Sequence, residues 1–201
     1  MGVRGPAFPC RKGTARFSKS GGPRLLKIAG MWNALHATGP APDRARPMML
    51  YGQFIGSWRG TVVVHEPQGR RRESTCEVHF DWVLEGRAIQ DVWIAPARDG
   101  RRPGEQSRMY GTTVRVYDVE KDFWHITWID PVRQVCNRMT GRPVGDDIEQ
   151  EYVEGGVRYQ WRFTEITPDS FHWLARKSPE EGGEWTPIAD FFLRRARDLN
   201  G

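Results

Sequence analysis

The chain has 201 residues, 38% of them hydrophobic, with nine Trp, nine Phe and five Tyr, and a formal charge of +5. No apolar run approaches the ~20 residues of a membrane-spanning helix. Three cysteines, Cys10, Cys76 and Cys136, make no disulfide framework, so a reducing, cytoplasmic setting is the simpler expectation. The basic excess belongs to the first 42 residues, which hold seven Lys or Arg and no acid. Taking those seven from the thirty leaves 23 basic against 25 acidic residues in 43–201. That part lacks the continuous positive surface that nucleic acid requires.

Residues 1–46 read as a disordered, basic extension rich in Gly, Pro and Arg, and 47–198 as one β-barrel domain. The extension has no apolar stretch of secretory-signal type. Pro6 breaks the myristoylation pattern that Met1-Gly2 opens. Its acid-free composition has a trace of a transit peptide, but a chain starting at Met31 is the simpler account.

Residues 47–51 predict a helical turn that caps the barrel. A first strand follows over 54–65, then a turn at Pro67-Gln68-Gly69. The second strand spans 72–84, Glu85-Gly86 signals a hairpin, and the third strand spans 87–94. A polar stretch, 96–106, makes the longest loop. The fourth strand spans 109–118, a turn occupies 119–122, and the fifth strand spans 123–129. Asp130-Pro131 turns the chain into a sixth strand over 133–140, and 142–145 is a plain turn. The remaining strands are predicted at 147–153, 157–166, 170–177 and 185–194. Ten strands at hairpin spacing with no helical interval predict an all-β, antiparallel up-and-down barrel, because closure removes the exposed edges of an open sheet.

The first strand opens on Gly56-Ser57-Trp58-Arg59-Gly60. A wide indole can plug the closed end of a barrel, and a neighbouring glycine lets the backbone bend there. This opening, the meander and the basic end of the last strand (Phe192-Leu193-Arg194-Arg195) resemble the calycin group: lipocalins, fatty-acid-binding proteins and the ten-stranded nitrobindins. The nearest likeness, also carried by Leu84-Glu85-Gly86-Arg87, is to bacterial lipocalin-like domains of unknown function. The resemblance covers about residues 50–196. It implies a basic side chain packed over the Gly-x-Trp indole, here Arg194 over Trp58. Nitrobindins hold haem through a late histidine. The last predicted strand has none, so no cofactor is expected.

Turn lengths predict which side chains share a face. A two-residue loop at Glu85-Gly86 sets Trp82 opposite Ile89, Phe80 opposite Asp91 and Val78 opposite Trp93. That face is apolar apart from Asp91 and should point inward; Glu77, His79, Asp81 and Gln90 suit water. A four-residue loop at 119–122 sets Tyr117 opposite Trp124, Arg115 opposite Ile126 and Thr113 opposite Trp128, with Arg115 inward. Tyr159, Trp161 and Phe163 share a face, as do Phe171 and Trp173. A carboxylate and a guanidinium inside an aromatic barrel are costly unless paired or ligated.

Two functions follow. In the first, the barrel sequesters a small hydrophobic, anionic molecule. Arg115 and Tyr117 would hold its charged group, with Asp91 nearby and a wall of Trp93, Trp128, Tyr159 and Trp161. The Arg-x-Tyr spacing resembles the carboxylate anchor of fatty-acid-binding proteins, although it lies mid-chain here. In the second, an isomerase, cyclase or lyase would use Asp91 as base and Arg115 to stabilise an enolate-like anion. Against both stands simple neutralisation of Arg115 by Asp91. Whether the two groups touch, or both face an open cavity, separates these readings. His65, His79, His125 and His172 have no metal-binding spacing, and no serine-hydrolase elbow occurs, so no metal and no catalytic residue are assigned. No nucleic-acid or membrane partner is expected, and a homodimer is left open.

Overall fold

The structure is a computed structural model that describes residues 30–180 and 182–196. Residues 1–29, and with them most of the expected disordered extension, lie outside the described residues. A short helix α1 (Met31–Leu35) and a helix α2 (Ala45–Gly52) precede ten strands. These are β1 (Gly56–His65), β2 (Arg71–Val83), β3 (Ala88–Ala95), β4 (Met109–Asp118) and β5 (Phe123–Asp130). They continue as β6 (Val135–Val144), β7 (Asp147–Glu154), β8 (Val157–Thr164), β9 (Ser170–Pro179) and β10 (Thr186–Arg195). Each strand pairs antiparallel with its neighbours in sequence, and β10 closes on β1, so the sheet is a barrel with no free edge.

The registers match those expected from the turns. Trp82 pairs with Ile89, Phe80 with Asp91 and Val78 with Trp93. Tyr117 pairs with Trp124, Arg115 with Ile126 and Thr113 with Trp128. Two turns differ in detail. The β2–β3 connection takes four residues, with Leu84, Glu85 and Gly86 at positive φ, yet keeps the register. The turn expected over 142–145 lies two residues later, at 144–147, because Gly145 takes the left-handed corner at φ 61 and β6 runs on through Pro143 to Val144.

Period-two alternation sends one set of side chains inward from every strand. In the half of the barrel beside α2, they meet and fill the space. Met48 and Tyr51, three residues apart on one helix face, and Phe54 just beyond it are all buried against this end. Phe54 stacks on Phe163 with centroids 4.8 Å apart, and Phe171 packs against both Phe54 and Trp58. Gly141 is required here: a Cβ on it would lie 2.6 Å from the Tyr51 hydroxyl. The segment before α2 also packs on the barrel. Ala37 donates its N–H to the carbonyl of Trp82, Ala41 donates to Gly86, and Asp43 accepts from Arg87. The expected domain boundary at 46/47 therefore falls inside α2, and residues 35–44 strap the β2–β3 hairpin.

The outer face carries a buried charge that alternation assigned to water. Glu77 is 0% exposed. One oxygen accepts from the Arg98 backbone N–H at 2.9 Å and from its Nε at 2.7 Å, while Arg59 reaches the other at 2.6 Å. The β3–β4 loop brings Arg98 over the strand, which alternation within β2 cannot report. Burial pushes the Glu77 carboxyl up, but the bonds from Arg98 and His79 and the charge of Arg59 outweigh it and hold the pKa at about 2. A carboxyl depressed in the folded state stabilises it above its unfolded pKa, and this contribution fades as pH falls from about 4.5 to about 2. Glu77→Gln should therefore melt lower than wild type at pH 7 and show a flatter pH profile in that window. Parallel profiles for the two proteins would assign the acid sensitivity to other groups.

Candidate functional site

The other half of the barrel is not filled. A cavity of about 540 Å³ opens at the end remote from α2, where the β1–β2, β3–β4, β5–β6, β7–β8 and β9–β10 connections lie. Its wall is aromatic: Trp93, Trp128, Trp161, Trp173 and Tyr159 all line it. The rings brace one another, with Trp93 and Trp161 each 5.3 Å from Trp173, and Trp128 6.0 Å from Trp161. The Trp128 indole lies against the β4 backbone at Gly111, where a Cβ would come within 2.4 Å of it. Nearer the mouth, Tyr152 and Tyr159 stack at 4.7 Å, and the Tyr152 hydroxyl accepts from Asn137 at 2.9 Å. Burial pushes the Tyr152 phenol strongly upward.

The inner end of the cavity is polar. Asp91 and Arg115 form a buried ion pair through Oδ2 and Nη1. Asp91 pairs with Thr113 across β3 and β4, so Arg115 is its diagonal neighbour on the same face. The other oxygen, Oδ1, accepts the Thr113 backbone N–H at 2.9 Å. The guanidinium lies 4.8 Å above the Tyr51 ring, with Phe80 and Phe163 at 5.6 and 5.8 Å. Gln150 donates to the Tyr51 hydroxyl at 3.0 Å. Burial pushes that phenol up to about 12 despite the opposing charge of Arg115. Arg115 Nε and Gln150 Oε1 are buried without a partner among the described residues.

The candidate residues thus separate. Trp93, Trp128, Tyr159, Trp161 and Arg115 line one cavity. Asp91 is fully buried behind Arg115 and is not part of the lining. Tyr117 does not join Arg115: its hydroxyl donates to Asp122 at 2.6 Å, within its own hairpin. The Arg-x-Tyr anchor is therefore not assembled, because the second residue sits at the closed end and finds a carboxylate in the turn. The indole plug is also corrected in one residue. Arg195, not Arg194, covers Trp58 at 4.2 Å, since Phe191, Leu193 and Arg195 face inward and Arg194 faces out. The buried Phe191 and Leu193 carry that parity in the sequence. Tyr51 and Gln150 escaped the sequence reading, although the outward setting of Glu149 and Glu151 implies that Gln150 turns in.

No family model matches the chain, and no curated protein matches it. Among solved structures, Rv2717c from M. tuberculosis superposes with a TM-score of 0.55 at 16% identity, covering 79% of this chain and 99% of that one. The S-type phycobiliprotein lyase CPES from Guillardia theta superposes with a TM-score of 0.51 at 13% identity, again over 79% of this chain and 99% of the other. With the closed ten-strand sheet, these likenesses make the fold a lipocalin-like, calycin-type barrel.

Proposed function

We propose that this barrel binds a small hydrophobic anion in its aromatic cavity. The observation that carries the reading is the contrast between the two halves of one barrel. One half is packed with the ring of Tyr51 from α2, that of Phe54 just beyond it, and rings from β1, β8 and β9, and the other keeps about 540 Å³ open behind a wall of tryptophans. Apolar side chains that only stabilised the fold would pack against one another to interior density, as they do in the half beside α2. A pre-formed concave site with an apolar wall and a few polar groups is the usual setting of a small ligand. The enzyme alternative has no comparable support. Asp91, its intended base, is engaged at both oxygens and does not line the cavity.

The test uses the wall as its own reporter. N-phenyl-1-naphthylamine, a neutral aromatic probe, should quench tryptophan emission saturably at one site per chain. An aromatic contact contributes about 0.5–1.5 kcal/mol beyond area burial. Trp161→Ala should therefore weaken binding by about threefold to tenfold. If the probe, and a series of other aromatic and long-chain aliphatic molecules, all fail to bind saturably, the container reading is wrong.

A further inference from the structure

The cavity mouth is electrostatically lopsided. Arg72 near the start of β2, Arg108 just before β4 and Arg133 in the β5–β6 connection all line it, against one acid, Glu154, among the described residues. The three arginines come from separate connections but converge. Arg133 Nε donates to the Arg108 carbonyl at 3.2 Å, and the charge of Arg72 acts on Arg133. Desolvation lowers the Arg133 pKa; the opposing pull of Asp130 is the next largest influence, and the charge of Arg72 adds a smaller lowering. Two of them have carboxylate partners, but in long ion pairs: Arg72 Nε lies 3.5 Å from Glu66, and Arg133 Nε lies 3.5 Å from Asp130. Both exceed the usual length of a charge-assisted hydrogen bond. Arg108 makes no ion pair among the described residues. By contrast, the one arginine at the inner end of the cavity, Arg115, is already neutralised by Asp91.

We infer that the ligand is an amphipathic anion seated with its apolar body among the tryptophans and its charged group at the mouth, met by Arg72, Arg108 and Arg133. This deepens the container reading and rests on it. It also reverses the orientation that an inner anchor at Arg115 would impose. The ligand class is a carboxylate, sulfonate or phosphate ester on an aromatic or aliphatic body. Guanidinium groups bind the flat or tripodal oxygens of such heads through paired N–H donors. At the inner end the cavity meets Arg115, which is already paired with Asp91 and keeps only its Nε–H without a partner among the described residues.

The experiment compares two probes with the same body. 1-Anilinonaphthalene-8-sulfonate carries an anion that N-phenyl-1-naphthylamine lacks. The wild type should bind the sulfonate about tenfold more tightly at low ionic strength. The preference should shrink as salt rises from 0.1 to 1 M, where the screening length falls from ~10 to ~3 Å. The triple variant Arg72→Gln, Arg108→Gln, Arg133→Gln should bring the ratio of the two dissociation constants toward one. Its fold is checked by far-UV circular dichroism and melting. Should the triple change unfold the protein, Arg108→Gln alone, at an exposed position, must still reduce the ratio. Equal wild-type affinities, or a preference that survives the rim variants, would overturn the inference while leaving the container intact. No binding of either probe would instead remove the container reading itself.

Discussion

Arg115→Leu should cost about 3–5 kcal/mol of folding stability, and adding Asp91→Leu should restore much of it. The physical reason is the asymmetry of buried ion pairs. Both side chains are almost completely inaccessible, at 1% and 0% exposed. The desolvation cost of the two charges is offset by their mutual contact, by the Thr113 N–H on Asp91 and by the rings around the guanidinium. Removing one partner leaves a lone charge in an aromatic interior, whereas replacing both by apolar groups is often neutral. Recovery will be incomplete, because Leu cannot replace the guanidinium stacked on Tyr51. Urea unfolding of the two single variants and the double variant forms a closed cycle. Strictly additive losses would show that the two residues do not stabilise each other. Asp91→Leu alone should be as damaging as Arg115→Leu.

Trp58→Ala should have a similar cost, about 3–5 kcal/mol, the range for emptying a buried aromatic site. The indole is 0% exposed. It donates Nε1–H to the Phe54 carbonyl at 2.6 Å, and its ring meets Phe171 at 4.8 Å. It therefore ties the end of α2 to the strand it precedes while plugging the closed end. Arg195 covers its outer side and reaches the carbonyls of Ile55 and Gln53 at 2.8 and 3.1 Å. Arg195→Ala should cost less, because its cation–π contact is worth about 0.5–2 kcal/mol, and Arg194→Ala should be close to neutral. A loss below about 1 kcal/mol in Trp58→Ala would mean that the barrel end is closed without the indole. Equal losses at 194 and 195 would contradict the parity of β10.

Much of this architecture was legible because strand alternation and turn chemistry are local. A loop of known length between two alternating runs sets a register. The pairings Phe80–Asp91, Val78–Trp93, Arg115–Ile126 and Thr113–Trp128 followed from Glu85-Gly86 and from residues 119–122 alone. Those registers alone put Trp93, Trp128 and Arg115 on inner faces. The long loop over 96–106 carried no such rule, so the register of β3 on β4 was not readable. That register makes Asp91 and Arg115 diagonal neighbours, and so an ion pair rather than a ligand anchor. The same limit hid the burial of Glu77, which is imposed by a loop folding back over the sheet.

What only closure of the barrel decided is where the aromatic face is core and where it is cavity wall. Trp161 and Phe163 are two residues apart on one strand and point the same way. Yet Phe163 stacks on Phe54 in the packed half and Trp161 lines the open half. The difference comes from α2, which fills one end only, and from strands remote in sequence that meet across the interior. The arginines of the mouth illustrate the same point. Arg72, Arg108 and Arg133 each read locally as an ordinary charged residue beside a turn. An up-and-down barrel returns every second connection to the same end, so three unrelated turns become one rim. Pairwise periodicity determines the inward set of side chains; their convergence on a common space is a property of the closed sheet and of α2 at one end of it.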